Sequence, residues 1–250
     1  MKLGIAVALL ITLQANAATV LHETHTATGY ETRSSGRTIT IDGDRMRVDL
    51  DAAEGARAAD TIIYNGGRWL QLNHQLQTWF EDDRLPALSR LTTLPSLEWR
   101  LRGKPRVESI SRAGEPVLGH ATTKHVLDVS YRLAAGSGSD YYTGDVHIHA
   151  VLLVAGDLPA LPGPKLSTRV EQVDAELARI AATFGGMIVQ SEVTVSRTIH
   201  GAAEPLSTTY RSAVDRIARR ASTPSLFTVP TSYRNQKPVF GSPGGGGPRH

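Results

Sequence analysis

The densest run of side chains able to do chemistry is Asp145-Val146-His147-Ile148-His149. In an extended strand its odd residues share one face, which sets a carboxylate and two imidazoles in a row at intervals of about 7 Å. These are the ligand types of zinc and of non-haem iron. A metal-binding strand is therefore one reading, and it needs a further ligand, which His120, His125 or Asp140 would supply only if folding brings it near. The other reading is a plain polar sheet face. His22-Glu23-Thr24-His25 resembles a zincin motif but has one residue too few between its histidines. The stretch is Thr-rich, as a strand would be, and a strand points positions 22 and 25 to opposite faces. It reads as surface polar residues of a first strand. No G-x-S-x-G elbow, P-loop or dinucleotide-binding glycine fingerprint is present, and the chain has no cysteine to act as a nucleophile. The expectation is a protein that is not an enzyme, with no catalytic residues, no metal and no cofactor.

The strand that carries Asp145 also carries an apolar signal. Val146, Ile148, Ala150 and Leu152 form one face, and beyond His149 the other face turns apolar too, through Val151 and Leu153. A strand apolar on both sides is covered on both sides, by a packed core or by an apolar ligand in the hollow of a curved sheet. Val151 and Leu153, with Asp145, His147 and His149, are the candidate ligand-contacting residues.

The elements that position them are mostly strands. Ile39 and Ile41 alternate with threonines up to the turn pair Asp42-Gly43, after which Met46, Val48 and Leu50 alternate with charged residues. Thr61–Tyr64, Arg68–Leu72 and Gln75–Phe80 continue the meander across turns at 65–67 and 73–74. A Pro-bounded stretch, 84–94, precedes alternation at Leu97, Trp99 and Leu101 and again from His125 to Leu133; a Gly/Ser-rich loop, 135–140, then leads to a strand at 145–154. Further strands are expected at 187–199 and at 207–217, where helical spacing fits equally well. One helix is expected from Thr168 to Phe184, with Thr168 and Glu171 as a capping box, a stripe through Val170, Val173, Leu177 and Ile180, and Gly185-Gly186 as its end. The fold class is mainly β: a strongly curved antiparallel sheet or incomplete barrel with one amphipathic helix packed on it.

Lys2, the apolar run 3–13 and the small residues Ala15 and Ala17 are laid out as a secretory signal cleaved after Ala17. The run is too short for a transmembrane span, which needs roughly 20 residues, and no later segment supplies one. The expected domains are a signal peptide at 1–17, a single curved-sheet domain at 18–234 and a disordered Gly/Pro-rich tail at 235–250, in a periplasmic or secreted protein. A formal charge of +3 and one tight basic cluster, Arg216, Arg219 and Arg220, make no nucleic-acid footprint.

Several segments together resemble a family of exported bacterial proteins similar to the periplasmic lipoprotein carriers and outer-membrane lipoprotein-binding proteins. They are Gly43–Asp49, the hairpin end Gln77-Thr78-Trp79-Phe80, Gly119–His125 leading into a strand, and the closing Phe227-Thr228-Val229-Pro230-Thr231-Ser232-Tyr233. The resemblance spans most of residues 19–233 and implies an incomplete, curved antiparallel barrel wrapped around helices. In the carriers its concave side holds lipid acyl chains, so the partners implied are an apolar ligand or a lipoprotein, with at most peripheral contact with the envelope. No functional residue of the carriers maps onto a position here. The expected function is non-enzymatic binding or carriage of a lipid or acylated protein. The alternatives are an interaction protein with a solid core and, third, a metal-binding protein using the Asp-x-His-x-His strand.

Overall fold

Period-two alternation produces strands wherever it runs, and in this computed structural model nearly all of it is gathered into one sheet. The structure describes residues 17–29, 32–51, 60–81, 99–135, 142–161, 166–168, 170–201 and 204–236. In chain order the strands are β1 (Ala17–Gly29), β2 (Arg33–Asp42), β3 (Arg45–Leu50), β4 (Thr61–Asn65), β5 (Arg68–Asn73), β6 (Thr78–Glu81), β7 (Trp99–Ala113), β8 (Thr122–Ala135) and β9 (Tyr142–Ala155). The helix α1 (Glu171–Ala181) follows, then β10 (Met187–Ile199), β11 (Leu206–Ala221), a 3-10 turn at Pro224–Phe227 and β12 (Arg234–Asn235). The spatial order is β12-β6-β5-β4-β3-β2-β1-β11-β10-β9-β8-β7. Two antiparallel meanders, β1 to β6 and β7 to β11, are thus joined side by side along β1 and β11. The sheet is open, curved and not closed into a barrel, as the fold class anticipated.

One face, called inner here, carries α1. Leu127, Ile148, Ala150, Leu152, Val193 and Val195 from β8 to β10 pack under Val173, Leu177 and Phe184 of the helix and its end. Across β1 to β5 the same face buries a second cluster, including Leu21, Ile39, Met46, Val48 and Trp69. The outer face is covered at β4 to β6, where Phe227 packs on Ile63 and Leu72. There the C-terminal segment crosses the sheet as a strap. Asn65 donates to the Phe227 carbonyl (3.1 Å), Tyr233 Oη meets His74 Nδ1 (2.5 Å), and β12 adds to β6 in parallel.

The helix begins later than its sequence suggests. Its N-cap is Val170, with no side-chain cap. The predicted Thr168–Glu171 capping box does not form, because Asp174 takes the role: its carboxylate accepts from the Thr168 backbone N–H (2.5 Å), Thr168 Oγ1 (2.7 Å) and Ser167 Oγ (2.7 Å). Residues 207–217, open to two readings in sequence, lie wholly inside β11. Of the strand expected through Leu97, Trp99 and Leu101, Leu97 lies outside the described residues, and from Trp99 the strand runs on to Ala113. Gly103, Lys104 and Pro105 interrupt the alternation, and the sheet absorbs them as a bulge between Arg102 and Arg106. Past the expected domain end at 234, Asn235 pairs with Trp79 and the Gln236 N–H bonds its carbonyl. The stretch at 84–94 and most of the 135–140 loop lie outside the described residues, as does the rest of the tail.

Candidate functional site

Strand register assigns each predicted site residue to a face. Val146, Ile148, Ala150 and Leu152 point inward under the helix, so Asp145, His147, His149, Val151 and Leu153 point outward. The helix therefore does not cover Val151 and Leu153; both are half-buried on the outer face, Val151 paired with Val126 and Glu192, Leu153 with Lys124. This places the predicted ligand-contacting set on the side of the sheet away from the helix-covered cluster, and of the set Leu153 packs against the second cluster, which includes Ala155 and Met187. The acid and imidazoles do not converge either. Asp145 takes a bidentate pair from Arg132 (2.7 and 3.1 Å) and lies 3.2 Å from His200 Nε2. His149 Nδ1 bonds Asp128 at 2.8 Å, and His147 stands 3.9 Å from that same carboxylate. The Arg132 bond, followed by His200, holds the Asp145 carboxyl below its usual range. Among the described residues no group of three or more histidine or acidic side chains is arranged to hold a metal ion. Of the signal-cleavage pair, Ala15 lies outside the described residues and Ala17 opens β1.

His22 and His25 do point to opposite faces of β1. His22 faces outward, with Nδ1 2.9 Å from both oxygens of Asp215 and Nε2 3.6 Å from Asp51. Asp215 is the extra residue where β11 bulges against His22 and Glu23. Glu23 and His25 face inward, and here the sequence reading needs correction: the motif is not all surface. The Glu23 side chain is 7% exposed and that of its partner Arg37 10%. Arg37 Nε (2.7 Å), Arg37 Nη2 (2.6 Å) and His25 Nε2 (3.3 Å) all approach one Glu23 oxygen, Oε2. Burial pushes the Glu23 carboxyl up, but the His25 and Arg37 contacts outweigh it and hold the group down at about 2. A charge buried this far is tolerated only when paired and hydrogen-bonded.

Around this cluster the cross-strand partners form a polar lane along the inner face. It runs Ser35 (β2), His25 (β1), Ser212 (β11), Ser191 (β10), Leu152 (β9), His125 (β8) and Ser111 (β7), each residue paired with the next. At a strand spacing of about 4.8 Å the lane is roughly 29 Å long. The row on one side is apolar through its centre, Ala27, Tyr210, Val193, Ala150 and Leu127, with Arg33 at its β2 end. On the other side stand Arg37, Glu23 and Val214. Neighbouring hydroxyls bond each other or a ring: Ser191 Oγ to Ser212 Oγ at 2.8 Å, Ser111 Oγ to His125 Nδ1 at 2.8 Å. The His125 ring stacks on Phe184 just past the helix, centroids 4.0 Å apart.

Exposure along the lane is uneven and informative. Core residues on both flanks are nearly sealed, Leu21, Ile148 and Met46 at 0%. His25, between them, keeps 29% of its side chain accessible, and Ser191 and Ser212 are half-buried. Solvent therefore reaches the middle of the inner face between the helix-covered cluster and the β1 to β5 cluster. Ser212 Oγ is engaged with Ser191, and the nearby acid, Glu23, is committed to Arg37.

Sequence reasoning missed the lane, although a signal was present. Glu23 sits in register with Leu21 and Ala27, and Arg37 with Ile39 and Ile41, so each interrupts an otherwise apolar face with a charge of opposite sign.

No protein-family model matches the chain, and no curated protein matches it. Among solved structures, the chain is similar to the crystal structure of a LolA superfamily protein from Nitrosomonas europaea, with 8% sequence identity and a TM-score of 0.34. The alignment covers 86% of this chain and 91% of that one.

Proposed function

We propose that this is a non-enzymatic cell-envelope protein that binds or carries an apolar or acylated ligand on the inner face of its sheet. The observation that carries the reading is the half-exposed stretch of the lane at His25, Ser212 and Ser191, between two apolar clusters on one curved face. A sheet built only as a solid core has no use for half-exposed positions at the middle of its buried side. The export layout of residues 1–17 and the resemblance drawn from Gly43–Asp49, Gly119–His125 and Phe227–Tyr233 favour the envelope and a lipidic ligand.

The test is mass spectrometry of protein purified from the envelope fraction without detergent. A lipid or acylated species at near-stoichiometric amount is the expected result. Repeatedly empty preparations, which also take up no added lipid, would overturn the proposal.

A second reading, an interaction protein, is favoured by β7, a 15-residue strand at the edge of the sheet with Ile110 69% exposed. Such an edge can accept another chain's strand. Pro105 and the adjacent bulge break its continuity, which is how edges are normally protected, and this reading ranks behind the first.

A further inference from the structure

At one end of the strand order, β7 pairs with β8 alone. The bulge at 103–105 guards its first part, but residues 106–113 pair with β8 one to one, and among the described residues no strand pairs with their other side. In an antiparallel ladder successive residues direct their N–H and C=O groups to opposite sides. The Gly114 N–H, next along, donates to the Thr122 carbonyl at 3.0 Å. The even residues therefore bond β8, and the odd ones, Val107, Ser109, Ser111 and Ala113, aim their backbone groups at the open side. Of these, Ser109, Ser111 and Ala113 are exposed. On the outer face the edge is flanked by Arg106, Glu108, Ile110 and Arg112, and Ile110 begins an apolar strip that continues through Val126 to Val151. The charge along this edge is one-sided. Among the described residues Arg100, Lys104 and Arg112 have no acidic partner, Arg112 stands opposite Lys124, and Glu108 is engaged with Arg106.

From this geometry we infer that the β7 edge docks an extended acidic segment of another protein, which adds as a strand along residues 106–113 with an apolar side chain against Ile110 and a carboxylate against Arg112. The open side offers backbone donors alternating with acceptors, which a second backbone matches and a lipid phosphate, an acceptor only, does not. Two copies of this chain paired antiparallel about Ser109 would set Arg106 against Arg112 twice, and like charges directly opposite are destabilising. The inference deepens the interaction reading of β7 by naming the chemistry of the partner, and it is independent of what the inner face carries.

Fluorescence anisotropy of the purified protein tests it with three short peptides: one alternating threonine with glutamate and valine, its counterpart with lysine for glutamate, and the acidic peptide with its backbone amides N-methylated. At low salt the acidic peptide should bind about tenfold tighter than the lysine peptide, and N-methylation should abolish its binding. Ser109→Pro removes an open-side N–H at an exposed position, where an edge strand tolerates proline; it should abolish binding of the acidic peptide with the urea midpoint unchanged. Arg112→Glu should invert the preference between the acidic and lysine peptides. Equal affinity for those two peptides, or no binding of either, overturns the partner chemistry. An N-methylated peptide that binds as well as its parent overturns strand addition, and this comparison decides the matter if Ser109→Pro fails to fold. Dimers of the free protein that Ser109→Pro dissociates assign the edge to a second copy, and cosedimentation with phosphatidylglycerol vesicles without peptide binding assigns it to a membrane; either result overturns the inference. All of these outcomes leave the carrier reading standing, since none of them depends on bound lipid.

Discussion

The two faces of the sheet each hold an acid, an arginine and a histidine in contact, and the two groups do different work. On the inner face Glu23, Arg37 and His25 share a single carboxylate oxygen among side chains 7%, 10% and 29% exposed. On the outer face Asp145 meets Arg132 and His200 with all three near half-exposed, at 46%, 53% and 48%. The residue types are the same; the solvent is not. Outside, water screens the pair and would serve each partner as well as the other does. Inside, each charge depends on its partner, and removing one strands the other.

Arg37→Leu is the sharpest way to break this contrast. It leaves Glu23 buried without its guanidinium and should cost about 3–5 kcal/mol in urea unfolding. Glu23→Leu combined with Arg37→Leu should recover most of that loss, because no unpaired charge remains. A double variant as unstable as the single one would show that packing, not charge, holds the cluster. Phe227→Ala tests a region where the outer face is covered as the inner face is. Phe227 is 1% exposed, and its removal should destabilise by about 3 kcal/mol, against no measurable change for Leu76→Ala, whose side chain is 62% exposed on the turn before β6.

Acid titration separates the faces without mutation. Glu23 is held at about 2 in the fold against 4.5 ordinarily. A carboxyl depressed on folding contributes stability that is fully present above the ordinary value and lost as pH falls through the folded one. Stability should therefore decline between about pH 4.5 and 2, by an amount on the order of 2–3 kcal/mol, and Glu23→Gln should flatten that limb of the urea-midpoint profile. Asp145→Asn is the smallest expected effect: its urea midpoint should match the parent at neutral pH. A clear loss there would mean the outer network is structural after all.

Alternation made the strands legible, and with them the class of fold. Met46, Val48 and Leu50, or the odd and even residues of 145–154, specify which side of a strand is apolar, and the sheet obeys them. Which apolar side meets the helix is a tertiary matter. Val146 and Val151 offer equally apolar neighbours in sequence, and the choice between them is made by the register of β9 against β8 and β10. The candidate site was less legible, because its members come from seven strands and no two neighbours in the lane are adjacent in sequence. His25 and Ser212 meet only because the first and last long strands pair. The capping error at Thr168 has a local cause: Asp174, six residues on, offers two acceptor oxygens to the turn before the helix, and a search for Glu at the third position passes over it.

The seam between β1 and β11 has a consequence in time. It pairs Ala17 with Ala221 and Gly29 with Thr208, contacts about as far apart along the chain as this domain contains. Each meander can zip from its own hairpins, but the seam must wait for nearly the whole chain, and contacts of such separation form slowly. A chain that emerges N-terminus first presents β1 at once and β11 near the end. Until then one side of a 13-residue strand stands unpaired, a template for any other extended chain in its surroundings. His22, Glu23 and His25, which in the finished sheet find partners on its two faces, are in that interval the polar residues that make the open edge less attractive to a stranger.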